Sequence, residues 1–242
     1  MPSLAADAAT DPAALPPPTF RLLGLGYVPD MRYDLKGKPR TVQVSQDTYS
    51  EAYPIPADGV LSFYRLSPAP NPADPPIKKT VVQTRIEHPD HSAIILLIRD
   101  PQAPQKPYTP PPGNPDDPSY NPLPPTIDPM VAFPLDDSPS AHPVATVRVI
   151  SLSRRTSALK IGPNLSQVAP LQNLLVPYPS DPRTWLHVAV YGDRGWQRII
   201  GGPQSFAPGT RITLVLSDLP PEKYSPNPDG LALKKIIETI PP

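Results

Sequence analysis

The stretch "HPDHSAIILLIRD", His88 to Asp100, decides how the chain is read, because "FAPGTRITLVLSD", Phe206 to Asp218, repeats its plan. Each opens on a turn signal, Pro89-Asp90 or Pro208-Gly209, runs through a short apolar core and stops at an aspartate before a proline-rich exit. Apolar runs this short between turn formers suit a buried strand better than a helix. Proline has no N–H to give to a ladder, so the exits end strand pairing and keep the edge from recruiting another chain.

Other segments match in the same order. Arg21 in "FRLLGLG" falls where Arg148 falls in "VRVISLS", and "VLSFYRLS" (Val60–Ser67) corresponds to "WLHVAVYG" (Trp185–Gly192). "QTRIE" against "WQRII" sets Arg85 with Arg198 and Ile86 with Ile199; the opening pair sets Pro89 with Pro208 and Asp100 with Asp218; the exits set Tyr108 with Tyr224. An ordered series of this kind predicts internal duplication. Further β-rich stretches are Arg40–Ser45, Lys78–Glu87, Ser157–Gly162, Gly195–Gly202 and Ala145–Ser153, the last alternating polar and apolar residues as a strand with one wet face does.

The expected fold is all-β: tandem duplicated small antiparallel β-sandwich domains of immunoglobulin-like type with proline-rich connections. The expected organisation is a disordered leader (1–18), a first sandwich (19–107), a proline-rich linker (108–143) and a second sandwich with a C-terminal tail (144–242). "MVAFPL" (Met130–Leu135) occupies the repeat position of "LALKKII", which predicts that the linker is partly packed. "GLALKKIIETI" (Gly230–Ile240) reads as two or three helical turns or a terminal strand, while Pro170 argues against a long helix in "SQVAPLQNLL".

Composition narrows the function classes. The 43 prolines among 242 residues are more than three times the average share of roughly 5%. They crowd between segments rich in Val, Ile, Leu, Tyr and Trp, a partition that a uniformly disordered chain would not show. Lys plus Arg equals Asp plus Glu, 22 each, and no basic cluster stands out, so the electrostatic footprint of a nucleic-acid partner is missing. Near-zero net charge also weakens one defence against self-association. Without cysteine there are no disulfides, thiolate metal sites or cysteine nucleophiles, and the chain leans toward export. No run approaches the roughly 20 apolar residues of a membrane helix. The N-terminus has neither the basic nor the apolar region of a signal peptide and reads as a mature terminus or an ordinary leader.

Chemistry-bearing motifs are sparse. His88 and His91 in "HPDH" have a spacing that suits a metal, with Glu87 and Asp90 nearby, but the second copy has "APGT" there and the bland reading is a polar turn. The aspartate pairs Asp116–Asp117 and Asp136–Asp137 read as solvated turn residues; Asp100 and Asp218 read as strand terminators or caps. His187 reads as a surface or edge residue, and His142 lies in the linker. "LGLGYVPD" lacks the third glycine and the helix of a dinucleotide loop, and there is no nucleophile elbow. No catalytic residue, cofactor or metal is called for. The binding candidates are Trp185, Tyr191, Trp196 and Arg198, since tyrosine and tryptophan stack on sugars and anchor protein interfaces; the competing reading packs them into the sheets.

"VRVISLSRRTSALKIG", "WLHVAVYGDRGWQRIIGG" and "APGTRITLVL" together resemble uncharacterised bacterial exported β-sandwich proteins that open on a "VRV-N-S" strand and end on a "PG-R" turn and strand. Residues 145–218 carry the resemblance, with Ser151 at the place of the usual Asn. It implies a periplasmic or secreted location and transfers no activity and no functional residue. The expected function is therefore a non-enzymatic structural or protein-interaction component of a bacterial envelope or secreted assembly, engaging a protein partner or copies of itself. The alternative is a carbohydrate-binding module that grips a polysaccharide with its exposed aromatics.

Overall fold

Sixteen strands and no helix make up the computed structural model, which describes residues 17–100, 129–193, 195–218 and 231–240. The chain divides into two compact units, Met1–Asp136 and Asp137–Pro242. The first holds β1 (Thr19–Gly24), β2 (Met31–Leu35), β3 (Lys38–Val42), β4 (Tyr53–Pro54), β5 (Val60–Ser67), β6 (Ile77–Arg85), β7 (Ala93–Arg99) and β8 (Met130–Asp136). The second holds β9 (Thr146–Ser151), β10 (Ser157–Ile161), β11 (Asn164–Val168), β12 (Asn173–Pro177), β13 (Arg183–Gly192), β14 (Gly195–Ser205), β15 (Thr210–Asp218) and β16 (Leu231–Thr239).

The two units share one topology. In the first, the sheets run β4-β1-β7-β8 and β3-β2-β5-β6; in the second, β12-β9-β15-β16 and β11-β10-β13-β14, which is the same order displaced by eight strands. Each unit has one parallel pair, β1 with β7 and β9 with β15, and the other pairings are antiparallel. This is not the immunoglobulin arrangement expected from the sequence. There the first strand neighbours the second, whereas here it lies between the fourth and the seventh.

The two sheets of each unit close on one apolar core. In the first, Phe20 and Leu22 of β1, Tyr33 of β2, Phe63 of β5 and Ile95 and Leu97 of β7 are buried together, and the Phe20 ring meets Tyr33 edge-on at 5.3 Å. In the second, Val147 and Val149, Leu159 and Ile161, Leu186, Val188 and Val190, and Ile212, Leu214 and Leu216 play the same part. Burial at alternate positions along β10 and β13 follows from the two-residue period of a strand. Each fully buried Leu, Ile or Phe contributes about 1.5–3 kcal/mol against exposure, so these two clusters hold the fold.

Local chemistry sets the turns and edges. Lys36 and Gly37 both have positive φ, 51° and 74°, the signature of the type I′ turn whose twist matches a hairpin such as β2–β3. The β10–β11 hairpin instead turns through Gly162, φ 57°, and Pro163, where only the first central residue is left-handed. The five prolines inside strands, Pro39, Pro54, Pro134, Pro177 and Pro203, all fall on strands at a sheet edge. An edge is where a missing N–H costs the ladder least.

Register corrects two of the sequence pairings. Both second hairpins carry a bulge at the same place, Val81 of β6 opposite Phe63/Tyr64 and Ile199 of β14 opposite Val188/Ala189. Val60 is then equivalent to Trp185, as the sequence match has it, but Arg198 takes the place of Thr80 rather than Arg85. In the parallel pairs Leu97 corresponds to Leu216, so Asp218 takes the place of Arg99, not Asp100. The bulge is common to both copies; the connection between the two strands is not, running from Ser67 to Ile77 in the first unit and only from Gly192 to Gly195 in the second, so a match on local sequence alone falls out of step across it. "MVAFPL" forms most of β8 and pairs with β7, as β16 pairs with β15, so Gly230–Ile240 contributes a strand and not a helix. Tyr108, Tyr224, Asp116, Asp117 and most of the leader and proline-rich linker lie outside the described residues.

Candidate binding face

The outer face of the sheet containing β13 and β14 holds all four residues that the sequence singles out. Along β13 the inward residues Leu186, Val188 and Val190 are buried, which sends Trp185, His187, Ala189 and Tyr191 outward. Across the ladder Trp185 faces Pro203, His187 faces Gly201, Ala189 faces Arg198 and Tyr191 faces Trp196. Trp185 and Tyr191 are each 56% exposed and Trp196 is 45% exposed, so the reading that packs them into the core does not hold.

The aromatics do not form one cluster. Tyr191 and Trp196 meet edge-to-face at 5.4 Å beside the hairpin turn. Trp185 lies six residues back along β13, about 20 Å at the usual strand rise, and stacks on His187 with ring centroids 5.7 Å apart and planes within 10°. Gly201 makes that stack possible: a Cβ there would sit 2.9 Å from His187 Nδ1, too close for the imidazole to lie where it does. Between the two aromatic stations sit two exposed cations, Arg198 opposite Ala189 and Lys160 of β10 opposite His187. Arg183, also exposed, points to the same side at the start of β13. None of the three makes a side-chain ion pair among the described residues. His187 shares the outward row of β13 with Trp185, whereas Lys160 joins the face only through the β10–β13 ladder, a nonlocal pairing that the sequence does not announce.

A second constellation is buried in the same unit. Arg211 on β15 donates Nη2 to Asp137 Oδ2 at 2.8 Å, Nε to Glu238 Oε2 at 3.1 Å and Nη1 to the His142 carbonyl at 3.3 Å. Arg148 Nη1 stands 3.9 Å from Asp137 Oδ1, and His142 Nδ1 stands 3.8 Å from the same oxygen. The His142 side chain is fully buried, and desolvation holds its imidazole below the usual pKa despite the nearby Asp137 carboxylate. Ligand atoms of Asp137, His142 and Glu238 all lie within 4.8 Å of one another. The donor set does not suit a metal, because the Arg211 guanidinium already bridges the two carboxylates. Two acids against two guanidiniums, with a neutral imidazole, make a balanced buried network to which a divalent cation would add uncompensated charge.

Asp137 is thus a buried partner of Arg211 and not the solvated turn residue expected from the sequence. Its neighbour Asp136 accepts through Oδ2 from His91 Nδ1 at 2.9 Å, so the adjacent aspartates serve different units. That contact raises the His91 pKa, the Asp136 bond being the largest cause. His88 stacks loosely on His91, ring centroids 5.4 Å apart, while the three-residue group placed to hold a metal among the described residues is the Asp137 one. Asp218 is a cap: it accepts from Ser153 Oγ at 2.8 Å, Arg154 N at 2.9 Å and Arg155 Nη2 at 2.8 Å, and so fixes the loop after β9. Partial burial works against its charged form, but these donors outweigh it and its pKa lies below the usual carboxylate value.

No protein-family model matches the chain, and no curated protein matches it either.

Proposed function

We propose that the protein is a non-catalytic binding component of a bacterial envelope or secreted assembly, and that its second unit supplies the binding face. One observation carries this reading. Two units built on one topology differ where their outer sheet faces correspond: Trp185, His187, Tyr191, Trp196 and Arg198 stand where the first unit has Val60, Ser62, Leu66, Lys78 and Thr80. Large exposed aromatics contribute nothing to a core, and tyrosine and tryptophan are the residues that most often anchor an interface. The exported location rests on the resemblance of residues 145–218 to exported sandwich proteins.

The test is retention of the purified full chain on insoluble bacterial envelope material. The Trp185→Ala/Trp196→Ala double variant, its fold checked by circular dichroism, should be retained about tenfold less, as loss of two anchors implies. Equal retention of the two proteins would remove the face from the function.

A further inference from the structure

The charge on this face identifies the chemistry of its ligand. The outward positions of β10, β13 and β14 include three cations, Lys160, Arg183 and Arg198, and no carboxylate. The equivalent place in the first unit is arranged differently. Asp34 stands where the second unit has Lys160, and it takes Lys78 Nζ at 2.7 Å and Tyr64 Oη at 2.7 Å, so that cation is neutralised in place. In the second unit the acid has become a lysine and the paired lysine has become Trp196. The neutral Asp34–Lys78 pair of the first unit is thus matched in the second by a cation and a ring, and the Lys160 charge is left open to an external anion.

We propose that this face binds an acidic polysaccharide, a linear chain of sugar rings bearing carboxylates. The proposal rests on the binding-face reading above and names its ligand. Flat rings stack on the Trp185–His187 and Tyr191–Trp196 stations, about 20 Å apart along the strand, and the carboxylates of the sugars between them meet Lys160 and Arg198. A neutral glycan would use the rings and leave the cations idle. An acidic peptide would use the cations and leave the rings idle. A nucleic acid offers both rings and charge, but three cations on a chain of zero net charge neutralise few phosphates, and phosphate contacts dominate that kind of affinity.

Isothermal titration of the full chain with polygalacturonate, with the same polymer fully methyl-esterified and with single-stranded oligo-dT tests the proposal. Polygalacturonate should bind, the esterified polymer about tenfold or more weakly, and the affinity for the acid form should fall as salt rises past about 0.1 M. Trp185→Ala and Trp196→Ala should each cost roughly tenfold, the scale of one lost aromatic contact. Lys160→Glu/Arg198→Glu should abolish binding with the thermal midpoint unchanged, since both side chains are exposed and make no ion pair among the described residues. Equal affinity for the esterified polymer, tighter binding of oligo-dT, or no binding of polygalacturonate would each overturn the acidic-glycan assignment. If polygalacturonate fails while envelope retention still depends on Trp185 and Trp196, the ligand class is wrong and the binding face stands; if retention is also indifferent to them, both fall.

Discussion

Replacing Arg211 by methionine should unfold the second unit well before the first. Arg211 is 8% exposed and joins two carboxylates, Asp137 at 5% and Glu238 at 13% exposure. Methionine keeps much of the stem volume but takes away the guanidinium that bonds both acids, while Arg148 Nη1 stands 3.9 Å from Asp137 Oδ1. Breaking a buried pair by removing one partner costs about 3–5 kcal/mol. For a unit of roughly 100 residues, unfolding entropy near 2.1 cal/mol/K per residue turns that loss into a fall of about 14–24 °C in midpoint. The assay is thermal melting of the intact chain followed by tryptophan fluorescence, which reads the second unit alone because both tryptophans, Trp185 and Trp196, lie within it. The triple variant Arg211→Met/Asp137→Asn/Glu238→Gln should recover most of the loss, because a network removed whole leaves no charge stranded. A single variant melting within about 3 °C of the parent, a shift worth under 1 kcal/mol, would refute the reasoning; so would a triple variant no better than the single.

Two histidines titrate with opposite sign. His142 is buried neutral with a depressed pKa, so its contribution is complete above the unfolded value of about 6.5 and declines as pH falls below it; urea midpoints by tryptophan fluorescence should drop from about pH 7.5 to 5.5, and His142→Gln should flatten that limb. A parent profile that is already flat would contradict it. His91 is raised by Asp136, so its contribution is complete below about 6.5 and is lost as pH rises through the folded value. Ring-proton NMR should place its titration above about 6.5, with Asp136→Asn returning it to the ordinary range; a parent titration at or below that value would contradict the assignment.

The core strands were legible in the sequence because β-branched and aliphatic residues stand between prolines and glycines in runs of strand length. Trp185–Gly192 and Val60–Ser67 matched residue for residue because no insertion divides them. Other elements were hidden. Met31–Leu35 has only five residues, of which Arg32 and Asp34 are charged, and its partner Tyr64 is far along the chain. Asn164–Val168 and Asn173–Pro177 flank Pro170 and carry asparagine at their starts, so they read as loop. The aromatic character of the candidate site was legible, but its geometry was not. Whether Trp185 joins Tyr191 and Trp196 depends on hairpin register, which places Tyr191 directly across from Trp196 and leaves Trp185 at the far end. The buried network was illegible for a related reason: Asp137 and His142 look like linker residues until strand β15, roughly 70 positions later, supplies Arg211.

A duplicated sandwich separates what must be kept from what can change. Inward residues of both units are fixed by packing, since volume errors in a core cost stability directly, and the shared bulge fixes where each outer face bends. Outward residues carry no such constraint, and it is there that the two copies part. Arg21 lies over the Tyr49 ring at 4.6 Å on the first unit, while its counterpart Arg148 stands beside Asp137 in the buried network of the second. Asp34 and Lys78 quench each other on one outer face; Lys160 and Trp196 hold the same places on the other and quench nothing. The first unit thus satisfies one acid and one lysine within its outer face, where Arg32 and Arg85 are also exposed, while the second leaves rings and cations facing outward in alternation. The fold alone does not account for that difference; the acidic glycan proposed above would.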